Sequence, residues 1–353
     1  MGKIKVLVVD DSAFMRKIIP EMLHEDKEIE VVGVAKDGNE ALKKALELKP
    51  DVITMDVEMP QLGGLETLGY IMSEIPTPVI MLSAYTPHGA EITLQALEYG
   101  AVDFVCKPSG EISIDIKKVQ KELLEKIKAA KNIDLTKMNF ILPDALTAVV
   151  KSEEKKELKG DILVIIAAST GGPRALVDVI PKIPRGLPAI FLVIQHMSSG
   201  FTKTLAERIN TQSKVEVKEA EHGEILKAGR VYFAPGNFHM EVIKTGEDYF
   251  VDLNQKPVRL GVRPSADMAM FSAAKAFDGK MIGVILTGMG RDGTAGAEKL
   301  KEKKAFIISQ DKETSVIYGM PKAVAEKGIV DKVAPITSIT DEIVSQINKW
   351  IGK

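Results

Sequence analysis

The feature that most constrains this chain is a repeated unit: a short apolar run, a polar residue at its end, then a helical pattern. In the first part of the chain the runs are Val6-Leu7-Val8-Val9, Val31-Val32-Gly33-Val34, Val52-Ile53-Thr54-Met55, Val79-Ile80-Met81-Leu82 and Val102-Asp103-Phe104-Val105. Between them lie amphipathic patterns such as Phe14, Ile18, Met22 and Leu23, or Ala41, Leu42, Ala45, Leu46 and Leu48. Near-continuous apolar runs mark strands buried on both faces, and alternation with helices makes neighbouring strands parallel. The pattern predicts a doubly wound five-stranded parallel sheet over residues 1–125.

The rhythm breaks over residues 126–160, a tract with Pro143 and the charged run KSEEKKELKG, which reads as a solvated linker. From residue 161 to 353 the alternation resumes. Strands are expected at 162–166, 189–194, 215–217, 231–234, 281–286 and 305–308, with helices after Gly172, Phe201, Ser265, Thr294 and Pro321. A hairpin-like insertion falls around 240–253, and 338–350 reads as a closing amphipathic helix. The second domain is therefore expected to be doubly wound, mostly parallel α/β.

Composition narrows the function classes. The 47 basic and 49 acidic residues give no cationic excess, and no basic recognition-helix pattern is visible, which argues against nucleic-acid binding. The single cysteine, Cys106, excludes an intrachain disulfide framework and a cysteine zinc cluster. That fits a reducing cytoplasm. The apolar stretch in MGKIKVLVVDDS is too short for a signal peptide or a membrane span, so a cytoplasmic protein not embedded in a membrane is expected.

Chemistry-bearing residues sit at the ends of the runs. Asp10 and Asp11 follow the first, Asp56 the third, Ser83 the fourth and Lys107 the fifth. In a parallel sheet the carboxyl ends of the strands converge on one edge, where open α/β folds bind ligands. Clustered carboxylates call for a cation, and Mg²⁺ prefers such hard oxygen donors. Asp56 is then placed to attack phosphorus, with Lys107 and Ser83 facing the transferred oxygens. The plain alternative is that each aspartate caps the next helix.

The stretches VVDDSAFMR, DVITMDVEMPQLGG, MLSA and DFVCKP resemble the receiver domain of two-component response regulators over residues 1–125. The resemblance implies that Asp56 is the phosphoacceptor and that Asp11, Asp56 and the backbone carbonyl of Glu58 hold Mg²⁺, with Asp10 assisting through water. It also implies that Ser83 and Lys107 are the signalling pair, that Lys107-Pro108 is cis, and that Phe104 is an aromatic switch. A core role for Phe104 is the alternative.

In the second domain, AASTGG at 167–172 follows an apolar run. GxGxxG and GxxxxGK[ST] are absent, and Ala167 breaks the GxSxG elbow. Ser169 is thus a helix cap or a nucleophile. Of the five histidines, His196 directly follows the run ending Ile194-Gln195, and Asp292 lies in TGMGRDG after the run 282–286. Ser169, His196 and Asp292 all fall just beyond strand ends, as a Ser-His-Asp triad needs. Backbone N–H groups after Ser169 or within Gly288-Met289-Gly290 would receive an oxyanion.

With VIQHMSSGF, VYFAPGNFHM, RPSADMAMFSAA, LTGMGRDG and QDKETSVIYGMP added, nearly the whole chain resembles the CheB-type chemotaxis methylesterases. The resemblance implies Ser169 as nucleophile, His196 as base, Asp292 as its orienter, Met289 as an oxyanion donor through its N–H, and Thr170 as a supporting residue. It implies hydrolysis of glutamyl methyl esters and deamidation of glutamines on methyl-accepting chemotaxis receptors, with no cofactor for the esterase, and a chemotaxis histidine kinase as phosphodonor. Two positions depart from the family: Ala167 where Gly is usual, and Val262 where His often stands. A non-catalytic binding module switched by the receiver is the rival reading.

Overall fold

The computed structural model describes residues 2–107, 115–135 and 160–352. The predicted Lys107-Pro108 cis bond and most of the linker lie outside these residues. The chain divides into two compact units, 1–144 and 145–353.

The first unit contains β1 (Ile4–Val9), α1 (Met15–His24), β2 (Ile29–Ala35), α2 (Gly38–Leu48), β3 (Val52–Asp56), α3 (Gly64–Glu74), β4 (Val79–Ser83), α4 (Pro87–Glu98), β5 (Asp103–Cys106) and α5 (Asp115–Ala130). The five strands form one parallel sheet in the order β2-β1-β3-β4-β5. Strand order reverses between β1 and β3, which opens a crevice beyond their carboxyl ends. Asp10 and Asp56 flank that crevice. One expected face is offset: α1 buries Met15, Ile19, Met22 and Leu23, while Phe14 stands at its cap, 39% exposed. The α1 stripe starts one residue later because Phe14 precedes the first full turn.

The second unit contains β6 (Ile162–Ala168), α6 (Gly172–Val179), β7 (Ala189–Gln195), α7 (Phe201–Gln212), β8 (Glu216–Glu219), β9 (Arg230–Phe233), β10 (His239–Thr245), β11 (Asp248–Asn254), α8 (Ala266–Ala276), β12 (Lys280–Ile285), α9 (Thr294–Glu302), β13 (Phe306–Gln310), α10 (Met320–Glu326), β14 (Lys332–Ala334) and α11 (Ile339–Ile351). Seven strands form a parallel sheet in the order β14-β13-β12-β6-β7-β9-β8, and β10 and β11 form a separate antiparallel hairpin. β6 and β7 are buried at every residue, which explains their uninterrupted apolar runs. Here the switch point lies between β6 and β12, which pair in parallel from Lys280↔Ile162 to Ile285↔Ala167. β14 was not anticipated: it is a three-residue edge strand with two exposed positions.

Candidate active site

Three adjacent central strands, β12, β6 and β7, end at Ile285, Ala168 and Gln195. Ser169 and His196 continue the last two directly, and the His196 N–H still donates to the Ala168 carbonyl at 3.0 Å. Asp292 arrives seven residues after β12, at the end of the TGMGRDG turn.

The helix-cap roles that the sequence offers for Ser169, Asp10 and Asp56 do not hold, and Asp292 is not a cap either. The cap of α6 is Gly171 and no side chain caps that helix, so Ser169 is not an N-cap. The cap of α9 is Gly293 rather than Asp292. In the first unit α1 is preceded by Phe14 and α3 by Gly63, so Asp10 and Asp56 do not cap them either.

Asp292 instead lies across the start of α8. His196 Nε2 is 2.8 Å from its Oδ2, which also accepts from the Ala266 N–H at 2.6 Å. Its Oδ1 accepts from the Ser265 hydroxyl at 2.8 Å and the Asp267 N–H at 3.2 Å. Burial opposes ionisation of this carboxyl. The hydrogen bond and charge of His196, with Ser265 and Ala266, outweigh it and hold the carboxyl below its usual range. The positive end of the α8 dipole acts in the same direction. Ser265 also caps α8 by accepting from the Met268 N–H. Sequence reasoning placed a helix after Ser265 but gave the residue no part in the site.

The imidazole meets Asp292 through Nε2, so the lone pair of the neutral ring is on Nδ1. That nitrogen is the one left to take a proton from a nucleophile. No hydrogen bond joins Ser169 to His196 among the described residues; such bonds often tighten only when substrate binds.

The turn after β12 is packed onto the serine. A Cβ on Gly288 would meet Met320 Sδ and come within 2.7 Å of the Ser169 Cβ, so only glycine fits. The Ser169 N–H donates to the Thr287 carbonyl at 3.0 Å, and the Thr287 hydroxyl donates to the Thr170 carbonyl at 3.0 Å. Thr287 N–H is in turn held by Gln310 Oε1 at 2.7 Å, and Gly288 N–H by the Ile317 carbonyl at 3.0 Å. The motifs LTGMG and QDKETSVIYGMP therefore form one support beneath the serine turn. Thr170 is buried and Met289 is partly exposed beside that turn.

In the first unit the Lys107 ammonium lies 2.8 Å from Asp10 Oδ2 and 2.5 Å from Asp56 Oδ2. Burial raises the Asp56 pKa to about 6 against the opposing effect of Lys107. For Lys107, burial disfavours the charge, but the bonds to Asp10 and Asp56 outweigh it and push the pKa up. Asp10, Asp11 and Asp56 each offer a carboxylate oxygen within 4.8 Å of the others, a hard donor set that fits Mg²⁺. Glu58 is brought beside them by its N–H, which donates to Asp56 Oδ1 at 3.3 Å. The buried Ser83 hydroxyl donates to the Gly89 carbonyl at the start of α4. Phe104 is 5% exposed, with Lys126 Nζ 5.3 Å from its ring centre.

The CheB methylesterase family model matches residues 164–343, and the response regulator receiver domain model matches residues 6–117. A protein-glutamate methylesterase/protein-glutamine glutaminase of Pyrococcus abyssi is 46% identical over 350 residues, covering 99% of this chain and 95% of the relative. The protein of that description from Thermotoga maritima is 47% identical, with 98% of each covered. The crystal structure of the Thermotoga maritima CheB methylesterase catalytic domain aligns with a TM-score of 0.52 at 45% identity, covering 54% of this chain and 100% of that one. The chain belongs to the CheB methylesterase family, with a response regulator receiver domain preceding the methylesterase domain.

Proposed function

We propose that this chain is a phosphorylation-controlled serine esterase of the cytoplasm. It hydrolyses γ-glutamyl methyl esters on methyl-accepting chemotaxis receptors and deamidates particular receptor glutamines. The observation that carries the reading is the 2.8 Å His196–Asp292 pair, one strand from Ser169 at the switch point of the sheet. Kinship to relatives of that description supports the substrate class. No helix among the described residues is long and apolar enough to cross a membrane.

His196 Nδ1 takes the Ser169 proton as Oγ bonds to the ester carbonyl carbon. Asp292 stabilises the resulting imidazolium through Nε2–H. The Met289 N–H receives the oxyanion, with Thr170 bracing the turn. The C–O bond to methoxide then breaks and His196 returns the proton, releasing methanol. Water adds to the glutamyl-enzyme as His196 Nδ1 takes its proton; the acyl C–Oγ bond then breaks, His196 returns the proton to Ser169 Oγ, and the free glutamate side chain departs as the carboxylate. With glutamine the leaving group is ammonia.

The receiver supplies control. Asp56 accepts a phosphoryl group from the phosphohistidine of a chemotaxis histidine kinase. Asp11, Asp56 and the Glu58 carbonyl, with Asp10 assisting through water, would hold Mg²⁺, which would supply positive charge to offset that of the phosphoryl group. Lys107 pairs with the phosphoryl oxygens and Ser83 turns its hydroxyl from Gly89 toward them, with Phe104 of β5 following as the aromatic switch. The receiver restrains the esterase until this change shifts the population.

The test is methanol release from methyl-labelled receptor membranes by wild type and Ser169→Ala, with and without a phosphodonor and Mg²⁺. Release that the phosphodonor stimulates and the substitution abolishes is expected. Release that persists in Ser169→Ala would overturn the triad, and release indifferent to the phosphodonor would overturn the control.

A further inference from the structure

The triad is not held only by its own hydrogen bond. Gln195, the last residue of β7, is 1% exposed and sits opposite Ala168, the last residue of β6. Its side-chain Nε2 donates to the Ser169 carbonyl at 2.9 Å and to the His196 carbonyl at 3.0 Å. Both hydrogens of one amide thus go to the backbones of the nucleophile and the base. The Ser169 carbonyl receives a second bond, from the Gly172 N–H at 2.7 Å. The peptide plane that follows the nucleophile is therefore fixed from two sides.

The other end of the amide shows what is given up for this arrangement. Gln195 Oε1 is buried and has no hydrogen-bond partner among the described residues. It lies against Gly172, where a Cβ would collide with it and would also come within 2.9 Å of the Ala168 Cβ. A buried acceptor without a donor is unfavourable, and an apolar side chain of the same length would avoid it. The amide is explained by what its NH₂ group does. With Oε1 directed at Gly172, the opposite orientation would place an oxygen against two carbonyls.

We propose that Gln195 is a positioning residue, which sets the register between the serine turn and the base by joining the carbonyls of Ser169 and His196. Gly172 belongs to the same device, because its lack of a Cβ leaves room for the amide. The inference rests on the reading of Ser169 and His196 as nucleophile and base. Displacements of the order of 1 Å between such groups cost up to about a hundredfold in rate.

The experiment uses the full chain and a fluorophosphonate probe, which reports the reactivity of Ser169 without any receptor. Rates and half-saturation are measured for wild type, Gln195→Met, Gly172→Ala and the double variant, each normalised to folded protein by circular dichroism. Gln195→Asn, which keeps the amide but shortens its reach, serves if Gln195→Met does not fold. The expected result is a maximal labelling rate lowered about tenfold to a hundredfold with half-saturation unchanged. The double variant should be no slower than the worse single variant, since both substitutions disable one amide. Wild-type rates in folded Gln195→Met or Gln195→Asn would overturn the inference, as would losses that multiply in the double variant. Failure of wild type to label at Ser169 would overturn the esterase reading itself, and this inference with it.

Discussion

His196 Nε2 stands 2.8 Å from Asp292 Oδ2, while three further donors at the start of α8 hold both oxygens of that carboxylate. Every one of these contacts needs an acceptor at position 292. Asp292→Asn places an NH₂ group where an N–H or O–H already points, and it also favours the wrong imidazole tautomer. The expected outcome is a loss of roughly 10⁴-fold in kcat for methyl-ester hydrolysis, the magnitude seen for such a change in serine proteases, with KM little altered. Steady-state methanol release over a range of receptor concentrations checks it.

Ser265→Ala and Ser265→Asp, taken together, separate the α8 cap from the hold on Asp292. Ser265→Ala removes the acceptor for the Met268 N–H and the hydroxyl donor to Asp292 Oδ1. Loss of the cap costs about 1 kcal/mol of stability. Ser265→Asp restores a capping acceptor but sets a second carboxylate against Asp292. The catalytic loss should therefore be greater in Ser265→Asp than in Ser265→Ala, although aspartate is the equal of serine as a cap. Urea midpoints and kcat measured together on the two variants would show whether cap and catalysis part in this way.

Much of this arrangement was legible because buried parallel strands write themselves as unbroken apolar runs. The runs at 162–166 and 189–194 pointed at Ser169 and His196 because each residue follows its strand directly. Asp292 was legible less through its spacing than through the glycine-rich turn that carries it. The network around it was not. A serine before a helix reads the same whether it only caps, as Thr86 does for α4, or also holds a carboxylate, as Ser265 does. Nor does a glutamine at a strand end announce that its amide turns back to two carbonyls. The nitrogen that His196 gives to Asp292 is set by ring orientation, which leaves no trace in spacing. β14 escaped because three residues at a half-exposed edge carry too little apolar pattern to separate from a loop.

Acid should weaken the second unit through His239. This imidazole is fully buried at the start of β10, with Nε2 directed at the Pro257 carbonyl. Burial lowers its pKa most, the Pro257 carbonyl opposes that, Arg263 lowers it further, and Glu241 and Asp292 oppose. A histidine with a depressed pKa contributes its stability above the ordinary value near about 6.5. That contribution is lost as pH falls through the folded-state value, because the unfolded chain takes up the proton first. The urea midpoint should fall from pH 7 toward pH 5, and His239→Gln should flatten the slope by up to one proton. Identical slopes in the two proteins would contradict the assignment.

Removing Mg²⁺ should affect the receiver in a way that Asp11 controls. Asp11 is exposed, whereas Asp10 and Asp56 are buried and already meet Lys107. Asp11→Asn therefore subtracts one charge from the ion's donor set while leaving the Lys107 pairs and the sheet intact. A ligand that binds only the folded state stabilises it by RT ln(1 + [L]/Kd), about 2.7 kcal/mol at a hundredfold excess over Kd. Adding Mg²⁺ should raise the first thermal transition of wild type, chelator should reverse the shift, and Asp11→Asn should need at least about tenfold more Mg²⁺ to match it. Phosphorylation of Asp56 by a small phosphodonor should show the same displacement in its Mg²⁺ dependence. If Asp11→Asn leaves both midpoints where wild type has them, the ion is held without Asp11 and the donor set assigned to it is wrong.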